Sequence, residues 1–141
     1  MNPLLHLDRT LDEVDPPRWP APDADATRLV STVHALRRVK LGDLSPGDLR
    51  MLVAQRVALH CTLPLAALLL LEEPLLDATF YPGDLLLTAV GVPDSSWALL
   101  PDLRERLSSV ITGLPDADLA ELPRGSTGEL ARFTGRRAPQ R

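Results

Sequence analysis

Aromatic residues are scarce in this chain of 141 residues: two Trp, two Phe and one Tyr, 4% of the total. The apolar 45% is dominated by Leu, with Ala beside it, and both residue types favour helix over strand. Cysteine is nearly absent as well. The single Cys61 excludes an internal disulfide framework and removes the usual zinc spacings, which need at least two suitably placed ligands. Its apolar setting, Leu59-His60-Cys61-Thr62-Leu63, is that of a buried and inert thiol. Long apolar runs are missing too. The Leu-rich stretch 63–71 contains Pro64 and stops at Glu72-Glu73-Pro74, far short of the roughly 20 residues a membrane span needs. The start of the chain, Met1-Asn2-Pro3-Leu4-Leu5-His6-Leu7-Asp8-Arg9, has no basic region followed by a continuous apolar stretch, so no secretory signal is expected and a cytoplasmic location is. Excess positive charge is also lacking. A net charge of −4 and a pI near 5.3 argue against a nucleic-acid partner, whose phosphates need Lys and Arg, and suit a basic protein instead.

What remains is a helical pattern one domain long. Residues 1–24 carry Pro3, Pro16, Pro17, Pro20 and Pro22 and read as an extended arm, with Trp19 expected to pack onto the body. Over 25–38, Leu29, Val30, Val33 and Leu36 form one apolar stripe that ends in Arg37-Arg38. Ser45-Pro46-Gly47-Asp48 has the form of an N-cap, a first-turn proline and a short capping box, and predicts a helix over 46–59. Thr62 is expected to cap the next helix, which is apolar nearly all round and should be central; it ends before Pro74. Pro82 marks another helix start, with Gly91 as its C-terminal stop. After a turn at 93–97, Leu103, Leu107, Val110 and Ile111 describe a last amphipathic helix ended by Gly113. The expectation is an all-α fold: a compact bundle of five or six helices over 25–113, preceded by the arm and followed by a mobile tail over 114–141, where Leu119, Leu122 and Leu130 look too sparse to build a core. No alternation bounded by hairpin turns and no repeat is apparent.

Chemistry-bearing patterns are few. His6, His34 and His60 fall in different segments, none at a metal-ligand spacing. His60 and Cys61 would make a dyad only if both faced one cleft. Gly42, Gly47, Gly83 and Gly91 stand singly at helix ends and form no phosphate-cradling loop. No catalytic, metal or cofactor site is expected. The abundant candidates are carboxylates: Asp43, Asp48, Glu72, Glu73, Asp77 and Asp84 cluster between the second and fourth helices, either as a solvated surface or as a patch facing a basic partner.

Two strings carry a resemblance. Arg37-Arg38-Val39-Lys40-Leu41-Gly42-Asp43-Leu44-Ser45-Pro46-Gly47-Asp48-Leu49-Arg50 and Asp77-Ala78-Thr79-Phe80-Tyr81-Pro82-Gly83-Asp84-Leu85-Leu86 resemble the immunity proteins of contact-dependent growth inhibition, a likeness covering about residues 25–112. It implies a cytoplasmic antidote that binds a cognate toxin domain and blocks it. The toxins are often nucleases, some similar to ribonucleases of the pancreatic type. The motif itself admits two readings. In one it is structural: Ser45 and Pro46 open a helix, Phe80 and Tyr81 anchor, Pro82 and Gly83 open another, and Asp84 sits near its positive end. In the other, Tyr81 and Asp84 stay exposed and, with Asp43, Asp48, Glu72, Glu73 and Asp77, meet arginines or lysines of the toxin. A helical adaptor or regulatory module outside toxin systems is the other class of function these residues admit.

Overall fold

The computed structural model describes residues 6–135. Among them lie nine α-helical segments and no strand. They are α1 (Leu11–Val14), α2 (Arg28–Leu36), α3 (Pro46–Ala54), α4 (Leu59–Glu72), α5 (Asp84–Val90), α6 (Asp94–Ala98), α7 (Pro101–Thr112), α8 (Asp116–Ala120) and α9 (Ser126–Thr134). The all-α expectation holds. The helices beyond the expected five or six are short or lie in segments rich in proline and glycine.

Helix α4 is central because it has a core on each side of it. Leu63, Ala66, Ala67 and Leu70 enter one cluster with Val53 of α3, Leu85, Leu86 and Ala89 of α5, Trp97, Leu107 and Ile111. Cys61 and Leu65 enter a second cluster with Leu11, Val33, Leu36, Leu49 and Leu52. A helix between two cores needs apolar residues on both faces, which explains why α4 shows no polar stripe.

The start of α4 differs from the sequence reading. The helix begins at Leu59, not after Thr62, and Pro64 lies inside it. Arg56 (φ 56°) and Ala58 (φ 46°) take left-handed conformations that reverse the chain directly after α3. The Thr62 hydroxyl then donates to the carbonyls of Val57 and Ala58 from within the first turn. The helix predicted over 46–59 stops at Ala54 for the same reason. Its start is as expected: the Ser45 hydroxyl accepts from Asp48 N–H at 3.1 Å, and the Asp48 carboxylate accepts from Ser45 N–H at 2.9 Å.

The arm and the segment after Gly113 are both tied to the body. In the arm, Thr10 and Glu13 form a capping box around α1, ahead of the prolines that suppress helix further on. Arg37, at the end of α2 and fully buried, then gathers the arm. Its Nε donates to Asp12 at 2.8 Å, Nη1 to Asp15 at 3.1 Å and Nη2 to the Asp15 carbonyl, while its guanidinium lies 4.4 Å from the Trp19 ring centre. Trp19 thus packs on the body, edge-on to His34 as well.

Beyond Gly113, residues 114–135 are folded. Leu130 and Phe133, one turn apart on α9, enter the larger core, and Phe133 meets Trp97 edge-to-face at 5.0 Å. The leucines of this region looked too sparse because Phe133, rather than another Leu, completes the buried face of α9. The end of the expected mobile tail, 136–141, lies outside the described residues, as do residues 1–5 of the arm.

Candidate functional site

Folding brings the two family-like strings together. The loop between α4 and α5, residues 73–83, returns over the N-terminus of α3. A Cβ on Gly47 would come within 3.1 Å of the Ala78 carbonyl and 3.2 Å of the Thr79 hydroxyl, so the close approach favours glycine there. One turn further along α3, Arg50 donates from Nε to Thr79 Oγ1 at 3.1 Å and sets its guanidinium 4.6 Å from the centre of the Phe80 ring.

Asp84 holds this loop from below. Its carboxylate accepts three backbone N–H groups: Ala78 at 2.8 Å, Thr79 at 2.9 Å and Phe80 at 2.8 Å. Gly83 at φ 92° makes the turn that aims the carboxylate back at the loop, and its own N–H bonds the Leu76 carbonyl. Burial alone would raise the Asp84 pKa, but the backbone hydrogen bonds from Phe80, Ala78, Thr79 and Leu85 outweigh it and hold the carboxyl below its ordinary value. The reading of Asp84 as an exposed contact residue is therefore corrected. The residue is 2% exposed and its acceptor capacity is spent on the three N–H donors of the backbone turn at 78–80.

The reading of Phe80 as a buried anchor is corrected in the opposite sense. Phe80 is 69% exposed and Tyr81 is 36% exposed, since the latch ties down their backbone and turns their side chains outward. Pro82 is exposed; α5 itself begins at Asp84, after the left-handed Gly83. Among the remaining carboxylates, Asp43, Glu72, Glu73 and Asp77 are exposed, whereas Asp48 is half-buried and engaged in its capping box. Glu72 closes α4, Glu73 opens the loop in which Asp77 lies, and Asp43 stands just before the capped start of α3.

The other candidates are dispersed. His34 Nδ1 lies 2.9 Å from the Pro20 carbonyl, under Trp19. His60 is exposed, with Nε2 3.3 Å from Asp15, while Cys61 beside it is wholly buried, so the two form no dyad. Burial first, and the Asp15 charge second, push the Cys61 thiol above its ordinary pKa, the reverse of an activated nucleophile. Among the described residues no group of three His, Cys, Asp or Glu side chains is placed to hold a metal, and no helix is long and apolar enough to cross a membrane.

The loop latch, Gly47 and Arg50 tie the two strings into one unit, and comparison of the whole sequence places that unit. The family model of CDI immunity proteins matches residues 13–107. The chain belongs to this family. No curated protein and no solved structure gives a match. As a CDI immunity protein the chain neutralises a toxin. The matched span takes in the second half of the arm, with Asp15 and Trp19 beside Arg37, both strings and α7 as far as Leu107; helices α8 and α9, which complete the larger core, lie beyond it. What sequence reasoning missed was the division of labour within the motif. The signal available for it was the pairing of Gly83 with Asp84, since an acid right after a glycine able to take positive φ can fold back on the preceding turn.

Proposed function

We propose that this immunity protein neutralises a basic toxin, of ribonuclease type, by forming a stoichiometric complex through the carboxylate-bearing side around the 73–83 loop. The observation that carries this reading is the exposure of Glu72, Glu73 and Asp77 in a run of six residues entering that loop, with Asp43 ahead of α3. A nuclease surface that grips phosphates is basic, and opposite charge on its antidote steers encounter toward association rates of about 10⁸ to 10⁹ M⁻¹ s⁻¹ at low salt. The acidic chain as a whole, at −4, supports the same direction. Occlusion of the toxin's substrate site asks no catalysis of the antidote.

The test is the association rate of the purified chain with the toxin domain encoded by the adjoining gene, at several ionic strengths. The expected result is a rate that falls steeply with salt, and a variant carrying Asp43→Asn, Glu72→Gln, Glu73→Gln and Asp77→Asn that associates more slowly and loses most of that dependence. A rate indifferent to both salt and these substitutions overturns the electrostatic part of the proposal.

A further inference from the structure

Three of the five aromatic side chains are used by the fold: Trp97 and Phe133 within the core, and Trp19 beneath Arg37. The other two, Phe80 and Tyr81, stand next to each other on the 73–83 loop, and Phe80 is 69% exposed. None of the hydrogen bonds that fasten this loop uses their side chains. Asp84 binds the N–H groups of Ala78, Thr79 and Phe80, and Arg50 binds the hydroxyl of Thr79. The latch would close equally well on smaller residues. In an aromatic-poor chain, two adjacent aromatics on a fastened turn, with Phe80 largely exposed apart from the Arg50 guanidinium against its ring, contribute little to folding.

They gain a great deal for binding. Aromatic side chains fixed in place before association lose little further freedom on docking, which is the physical character of an interface hot spot. The Arg50 guanidinium supports the Phe80 ring at 4.6 Å and so further restrains the ring. Asp77 pairs with Pro82 next to Tyr81 and is exposed, and the exposed Glu72 and Glu73 lead into the same loop, so acidic side chains accompany the pair along the chain. We infer that Phe80 and Tyr81 are the hydrophobic anchor of the toxin complex, inserting into an apolar pocket of the toxin whose rim carries arginine or lysine. This rests on the antidote reading above and adds to it the element that supplies the affinity. Charge complementarity selects this occupant over a second copy of the chain, which would bring carboxylates against carboxylates.

The experiment measures binding of the full chain and its Phe80→Ala, Tyr81→Ala and double variants to the inactivated toxin domain of the adjoining gene, by calorimetry, with thermal melts alongside. Leu99→Ala, at an exposed leucine elsewhere on the surface, is the control. The expected result is melting like the parent, affinity weakened about 30-fold for Phe80→Ala and further for the double variant, and no change for Leu99→Ala. Failure of the parent chain to bind overturns the antidote reading and the anchor with it. A parent that binds and a double variant that binds equally well overturns the anchor alone. If the alanine variants melt early, Phe80→Trp is the second probe: added indole emission that shifts to the blue on toxin binding supports the anchor, and unmoved emission overturns it. Self-association of the parent that the double variant abolishes, without loss of toxin affinity, assigns the pair to a second copy and overturns it too.

Discussion

Replacing Asp84 with Ala removes one acceptor and strands three donors. Hydrogen bonds to a charged group contribute about 1.5–3 kcal/mol each, but the three do not simply add once the acceptor is gone. Thr79 and Phe80 are exposed, so their N–H groups regain water and only the net value of each bond, about 1.5 kcal/mol, is lost. Ala78 is half-buried, and an N–H left without a partner there costs on the order of 1–3 kcal/mol. The sum is about 5 kcal/mol, a large share of the 5–15 kcal/mol that holds a domain of this kind together, and it lowers the melting temperature by roughly 15–25 °C. Asp84→Asn keeps the shape and one acceptor oxygen and should lose about half as much. The pH dependence follows from the direction of the shift. The Asp84 carboxyl titrates below its ordinary value in the folded chain, so its stabilisation is fully present above the unfolded value of 3.8 and disappears as pH falls through the lower folded value. The gap between parent and Asp84→Asn, read from urea melts monitored by circular dichroism, should therefore be constant from pH 7 to about 5 and close under strong acid. An Asp84→Ala chain that melts like the parent but no longer binds toxin would refute the latch and restore Asp84 as a contact residue.

Arg37→Met removes the buried, hydrogen-bonded cation from the Asp12 carboxylate and leaves it only the more exposed Arg38 at 3.8 Å and Arg18 at 4.0 Å; a loss of about 3 kcal/mol in urea melts is expected, partly recovered by adding Asp12→Asn. Truncation after Gly113 strips Leu130 and Phe133 from the larger core and should give a chain that binds a hydrophobic dye and melts without cooperativity; a sharp, unshifted melt would contradict their place in the core. Gly83→Ala puts a Cβ 2.6 Å from Leu122 at a φ of 92° and should cost about 1–3 kcal/mol, measured the same way.

The elements with a local chemical signal were readable before folding was considered. Ser45 and Asp48 mark the start of α3 through a capping box that needs no tertiary partner, and the all-round apolar run around Leu65–Leu70 already implies a helix with cores on both sides. What escaped was set at long range. Ala58 takes a left-handed conformation that no propensity favours, and so α4 starts three residues before Thr62. Leu130 and Phe133 are only two buried apolar residues on α9, and their value appears once Trp97 stands opposite. In the candidate site, the strings 37–50 and 77–86 were visible as strings, but which side chains they bury depends on the loop lying over Gly47. With the loop folded there, Asp84 turns inward onto three backbone N–H groups and Phe80 turns outward, the reverse of what charge and hydrophobicity alone imply.

We propose stoichiometric neutralisation as the action of this member of the CDI immunity family. Its most direct test is co-expression with the toxin domain of the adjoining gene, followed by purification through a tag on the toxin. A 1:1 complex and cells that grow as though no toxin were made are expected. A toxin that comes through alone, in cells that still stop growing with the antidote abundant and folded, would contradict it.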